Sequence, residues 1–189
     1  YDYVMGFDYE GNQEYYTFIN IMASEANKKR YMDVCEGKIN TMSEEGKQVL
    51  KDIELPLDGS YEKLLVRDED GNVIGVYPHY VIADGGITFG FGYRITEANY
   101  ELSAVDRFLY DTYVPEDTPY DGGEKKETLV VPDSSYVPIE ILNIVYENRL
   151  VEMENHLNKF YYEEHPELEV TQGQYDALII YKYKNYRLG

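Results

Sequence analysis

The segment IADGGITFGFGYRIT, Ile82 to Thr96, sets Gly85, Gly86, Gly90 and Gly92 into a run of aromatic and β-branched residues. Such residues favour strands, and glycine inside a strand pattern marks a bulge, a tight bend or a close approach to the main chain. The segment is expected to form a strand from Ile87 to Ile95. Gly85 and Gly86 turn the chain tightly before it, and Gly90 and Gly92 let the sheet bend and pack against neighbouring helices. Upstream, YEKLLVRDEDGNVIGVYPHYVI reads as two β-rich runs joined by DEDGN, a hairpin with Asp70 and Gly71 in its turn. Hairpin and strand together predict a small antiparallel sheet.

Helices flank this sheet in the sequence. In TMSEEGKQVLKDIELP, Ser43 caps a helix, Glu44 and Glu45 sit in the first turn where the dipole favours them, and Val49, Leu50 and Ile53 form an apolar face. Leu55-Pro56 stops the helix, so Glu54 is a carboxylate at its end. From Pro138 the pattern is helical again: Leu142, Tyr146, Leu150, Met153, Leu157 and Phe160 recur at steps of three or four, one buried face of a long helix. TQGQYDALIIYKYKNY predicts a last helix capped by Thr171, with Ala177, Leu178 and Ile180 packing in a core. Residues 1–40 read as an N-terminal extension with one helix, roughly Tyr15 to Cys35. Residues 97–137, rich in Pro, Gly, Asp and Tyr, read as an irregular insertion. No internal repeat is visible.

Composition narrows the function classes. The chain has 189 residues, enough for one domain with a core and a small appendage. Its 36 acidic against 17 basic residues give a net charge of −19, which repels nucleic acids and anionic membranes. No stretch reaches the roughly 18 to 20 apolar residues of a membrane span, and YDYVMGFDYE lacks the blocks of a signal peptide. The chain does not start with Met, in keeping with processing or excision from a longer product. Cys35 is the single cysteine, so no internal disulfide is possible. The 22 tyrosines and the absence of Trp provide amphipathic faces suited to stacking on sugars or to protein interfaces, besides their ordinary use as half-buried core residues.

The order of these pieces resembles the phage-type lysozymes, glycoside hydrolase family 24. The matching stretches are SEEGKQVLKDIE, GGITFGFG with its T-x-G-x-G, PIEILNIVYENRLVEMENHLNKF and TQGQYDAL. The resemblance covers about 41–189, a lysozyme-like domain with insertions around 55–80 and 97–137. It implies an α+β fold: a short N-terminal helix, a small antiparallel sheet, a long connecting helix and the start of a helical lobe. Two departures stand out. The chain ends at YRLG where the family continues into a further lobe, and the family's F-N-x-G is only approximated, with Asn185 one position late.

The resemblance implies a peptidoglycan hydrolase that cleaves the β-1,4 bond between N-acetylmuramic acid and N-acetylglucosamine, without a cofactor. Such a reaction needs one carboxylic acid to protonate the leaving oxygen and, on the other face of the sugar, a group that stabilises charge or orients water. Glu54, at the negative end of a helix dipole and partly desolvated under a bound sugar, is expected to hold a proton near neutrality and act as general acid. Thr88 matches the family threonine, which implies that it helps hold the attacking water. The family's aspartate position falls on Ile82; the nearest acid is Asp84, four before Thr88, which either reaches the site through a shortened turn or serves only as a turn residue. The expected partner is the glycan strand of the bacterial wall, with an extracellular or virion-associated location and other subunits of a phage tail or secreted assembly nearby. A lysozyme-like module without catalysis, using Tyr-rich faces for protein contacts, is the alternative.

Other signals are weaker. DEDGN, Asp68 to Asn72, has the acids of a calcium loop, but the glycine is early and its twelfth position is His79, so a plain hairpin turn is the better reading. His79, His156 and His165 lack ligand spacing, and no metal site or phosphate loop is expected.

Overall fold

The computed structural model describes residues 37–81, 85–122 and 128–185. The expected helix from Tyr15 to Cys35 lies outside them. The fold is mixed α+β, and the described residues form two compact units: residues 54–143, and residues 37–53 with 144–185.

The first unit holds two antiparallel sheets. In one, β1 (Leu65–Arg67) and β2 (Val73–Val76) form the expected hairpin, and β7 (Val137–Pro138) pairs on the far side of β2. Its turn is closed locally. Asp68 Oδ1 accepts the N–H of Asp70 and of Asn72 at 3.0 and 2.8 Å, and Gly71 takes φ +85°, a conformation glycine adopts without a Cβ penalty. The Asp68 carboxylate is thus engaged in the turn itself.

The other sheet has the order β5-β4-β3-β6, built from β3 (His79–Tyr80), β4 (Ile87–Phe89), β5 (Tyr93–Ile95) and β6 (Leu129–Val130). Here the structure corrects the sequence reading. Ile87 to Ile95 is not one strand but a hairpin, β4 and β5, with Phe89 opposite Tyr93 and Gly90-Phe91-Gly92 as its connection. Gly90 and Gly92 adopt φ +54° and +76°, and Gly92 N–H donates to Gly90 O at 3.0 Å. These glycines reverse the chain instead of bending a strand. Strand β4 lies between β3 and β5, and Ile87, Thr88 and Phe89 are all buried, so both of its faces are covered.

Residues 97–122 and 128–137 also hold more regular structure than their composition suggests. Thr96 Oγ1 accepts Asn99 N–H and caps α2 (Glu97–Tyr100); Ser103 Oγ accepts Asp106 N–H and caps α3 (Ala104–Tyr113). Ala104, Phe108, Leu109 and Tyr113 bury one face of α3. Further along, β6 and β7 each add an edge strand to a sheet.

The second unit is helical, made of residues 44–53 and 144–158 of two helices, a π-helical turn and a last helix. The expected short helix is α1 (Glu44–Glu54): Ser43 Oγ accepts Gly46 N–H at 3.0 Å, and the helix ends before Leu55-Pro56. Of its expected apolar face only Leu50 is buried; Val49 and Ile53 are each 45% exposed. The long helix is α4 (Ile139–Asn158), and Leu142, Tyr146, Leu150, Met153 and Leu157 are buried as the spacing predicts. Phe160 is not, being half exposed. Residues Lys159–Glu163 form a π-helical turn, which holds more residues than an α-turn, so the stripe slips in phase and Tyr162 is buried instead.

The last helix, α5 (Gln172–Lys184), begins with a capping box between Thr171 and Gln174. Its buried stripe is Tyr175, Ile179 and Tyr183; Ala177 is exposed, and Leu178 and Ile180 are half-buried, contrary to expectation. Tyr175 can fill this role because its hydroxyl meets Asn158 Oδ1 at 2.8 Å and Asn40 O at 2.9 Å. Asp176 serves the structure in another way. It accepts Ser43 N–H at 3.0 Å, the Ser43 hydroxyl and Gln172 Nε2 at 2.8 Å, so its carboxylate clamps the N-terminal cap of α1. Tyr146 O–H adds a bond to Lys47 O at 2.8 Å.

Candidate functional site

Glu54 closes α1 because the chain cannot continue helically into Leu55-Pro56, and buried Leu55 anchors the exit. The side chain is half-buried and its Oε1 is fully covered. What it meets is the turn between β4 and β5. A Cβ placed on Gly92 would fall inside van der Waals contact of Glu54 Oε2 and 3.0 Å from its Cδ. Gly92 thus combines a positive φ with the room that the carboxylate beside it occupies. The neighbouring Gly90 meets the same kind of constraint: a Cβ there would lie 2.8 Å from Leu142 Cδ2. The glycines of T-x-G-x-G thus let one turn carry both a helix side chain and a carboxylate against bare backbone.

Thr88 stands two residues before that turn, in β4, and is only 4% exposed. Its Oγ1 is buried and has no hydrogen-bond partner among the described residues. A buried hydroxyl left unmatched by protein atoms costs about 1–3 kcal/mol, and such groups mark places where water or a bound group supplies the missing bond. Thr88 sits opposite His79 on β3 and opposite Arg94 on β5, so the three residues share one face of the sheet.

His79 is the residue that sequence spacing did not point to. Its Nδ1–H donates to Tyr77 O at 3.0 Å, which leaves Nε2 as the lone-pair nitrogen. Burial pushes its pKa down to about 4, offset only in part by the Tyr77 bond, so the ring beside Thr88 is neutral at physiological pH. No motif or periodicity in the sequence announces it. On the other face of the sheet, Tyr93 O–H donates to buried Asp106 in the first turn of α3, a paired carboxylate that braces the β5–α3 connection.

Of the three residues expected to form the site, the structure joins Glu54 to the T-x-G-x-G turn through Gly92 and sets Thr88 on the strand that feeds it. Asp84 lies outside the described residues. Among the described residues, no cluster of three or more His, Cys, Asp or Glu side chains could hold a metal ion, and no helix is long and apolar enough to cross a membrane. The chain matches no protein-family model, no curated protein and no solved structure.

Proposed function

We propose that this chain is a muramidase of the phage lysozyme type, which hydrolyses the β-1,4 bond between N-acetylmuramic acid and N-acetylglucosamine in peptidoglycan. One observation supports the reading above the rest: the glutamate at the end of α1 rests against the last glycine of T-x-G-x-G, in the same unit as the threonine whose buried hydroxyl has no hydrogen-bond partner among the described residues. Glu54 and the motif lie far apart in the sequence, and nothing in the hairpin alone demands that an acid meet Gly92.

In this reading Glu54 donates its proton to the glycosidic oxygen as the bond to the anomeric carbon breaks. Water adds to that carbon from the opposite face, held by Thr88 and assisted by Asp84 as the carboxylate that takes up its proton, with inversion of configuration. Neutral His79 beside Thr88 adds no positive charge to compete for the Glu54 carboxylate. The strongly acidic surface disfavours free adsorption to an anionic wall, so the domain works extracellularly or on a virion, carried to its substrate by other parts of an assembly.

Digestion of purified cell walls by wild type and Glu54→Gln tests this. Release of soluble muropeptides by wild type alone supports it. Equal release by both proteins removes Glu54 from the role of general acid, and release by neither leaves a lysozyme-like module without catalysis.

A further inference from the structure

Within the helical unit lies an open groove of about 440 Å³, lined by His156, Leu157, Lys159, Phe160, Glu164 and Lys182. Its charge runs against that of the chain. Cations are outnumbered about two to one in the sequence, and several sit beside acids: Lys47 with Glu44 and Glu147, Arg67 with Glu62, Arg149 with Glu152. Lys159 and Lys182 make no ion pair among the described residues, yet both line this groove.

The two lysines arrive from different elements, Lys159 from the π-helical turn and Lys182 from the last turn of α5. Burial lowers the proton affinity of His156, and the charges of Lys182 and Lys159 lower it further, which places both lysines within Coulombic range of the imidazole. Favourable interaction with a helix dipole explains a cation at one helix end, such as Lys182 on α5. It does not explain why Lys182, Lys159 of the π-turn and the His156 imidazole of α4 converge beside an apolar wall. That wall is Leu157, buried, and Phe160, whose ring is half exposed and braced edge-on against Tyr161 at 5.1 Å and His165 at 5.3 Å.

We infer that this groove binds an organic phosphate monoester, its phosphate between Lys159, Lys182 and His156 and its apolar body over Leu157 and Phe160. The volume falls within the roughly 300–1,000 Å³ of small-molecule sites. The donor set favours phosphate over carboxylate: ammonium and imidazole groups act as separate points around a tetrahedral oxyanion, and the planar fork of an arginine, which suits a carboxylate, is missing from the lining. Glu164 is the one acid in the lining and selects against a second anionic group on the ligand. This inference does not depend on the hydrolase reading.

Titration calorimetry and amide shift mapping with phenyl phosphate, on the whole chain, test it. The expected result is saturable one-to-one binding with shifts at 156–160 and 182, weakened by about tenfold or more in Lys159→Gln/Lys182→Gln, a pair that leaves the core untouched. Inorganic phosphate should bind more weakly than phenyl phosphate, and the preference should shrink in Phe160→Ala. No saturable binding at millimolar phenyl phosphate, unchanged binding in the double variant, or equal binding of benzoate would overturn the proposal.

Discussion

Gly92→Ala separates the geometry of the site from the stability of the fold. Gly92 has φ +76°, and an alanine in the left-handed region costs about 1–2 kcal/mol. Gly71 is an internal control, because it has φ +85° and a Cβ there would meet nothing within 4 Å. Both variants should lose similar stability, offset in part by the reduced freedom of the unfolded chain. They differ in what the methyl strikes. At position 92 it falls on the end of the Glu54 side chain, which yields by swinging its carboxylate away while the backbone stays in place. A displacement of about 1 Å in a catalytic group can lower turnover about 100-fold. Initial rates of reducing-end release, measured well below the melting transition of each protein, should therefore fall by that order in Gly92→Ala and stay near wild type in Gly71→Ala. Wild-type turnover in Gly92→Ala, or an equal loss in Gly71→Ala, would refute the argument that this turn positions Glu54.

Three other outcomes follow from the same geometry. Replacing Thr88 with Val removes a buried hydroxyl without a hydrogen-bond partner among the described residues, so denaturant melts should show a gain of about 1 kcal/mol while wall digestion falls, the reverse of what a purely structural threonine would give. His79 holds its proton only below about pH 4 in the native state against an ordinary value of 6.5, so the unfolded chain binds the proton first as pH falls. Stability contributed by the neutral ring is complete above pH 6.5 and is lost on the way to about 4, an order of 3 kcal/mol for the gap between those values. His79→Asn, whose Nδ2 can still donate to Tyr77 O, should flatten the stability–pH slope in that window; an unchanged slope would contradict the assignment. Gly46→Ala, a change that ordinarily stabilises a helix by about 0.5–1 kcal/mol, should instead destabilise, because its Cβ would lie 2.7 Å from Asp176 Cγ and 3.0 Å from Asp176 Cβ. A higher melting temperature in that variant would show that the Asp176 clamp on α1 is not tight.

Where local rules dominate, the sequence was legible. Ser43 and Thr171 cap their helices and Leu55-Pro56 ends α1 because each acts within a few residues. The long helix could be read from its period as far as Leu157, and the phase failed only where the π-turn inserted extra backbone. Residues whose role depends on distant partners were read less well. Tyr175 and Tyr183 line a buried stripe because hydroxyl partners and a facing aromatic, Tyr146, receive them, while the more apolar Ala177 stays outside. Gly90 and Gly92 alternate with aromatics as a strand would, and only their positive φ values reveal a hairpin. Helix α3 was hidden because ten helical residues lie among Pro, Gly and Asp, although Ser103 at its cap was a signal in plain view. In the candidate site, Glu54 and Thr88 could be named from motif order. Gly92 as the contact between Glu54 and the hairpin, and His79 across from Thr88, emerge only in three dimensions.

If Glu54 is the general acid of a muramidase, the bond it helps to break is glycosidic and not a peptide bond. The most direct measurement is the chemical identity of the new end: purified walls are digested, reduced with borohydride, hydrolysed and analysed. The account predicts reduced muramic acid that increases with time for wild type and is absent for Glu54→Gln. Reduced glucosamine, or new amino termini without a new reducing end, would contradict it.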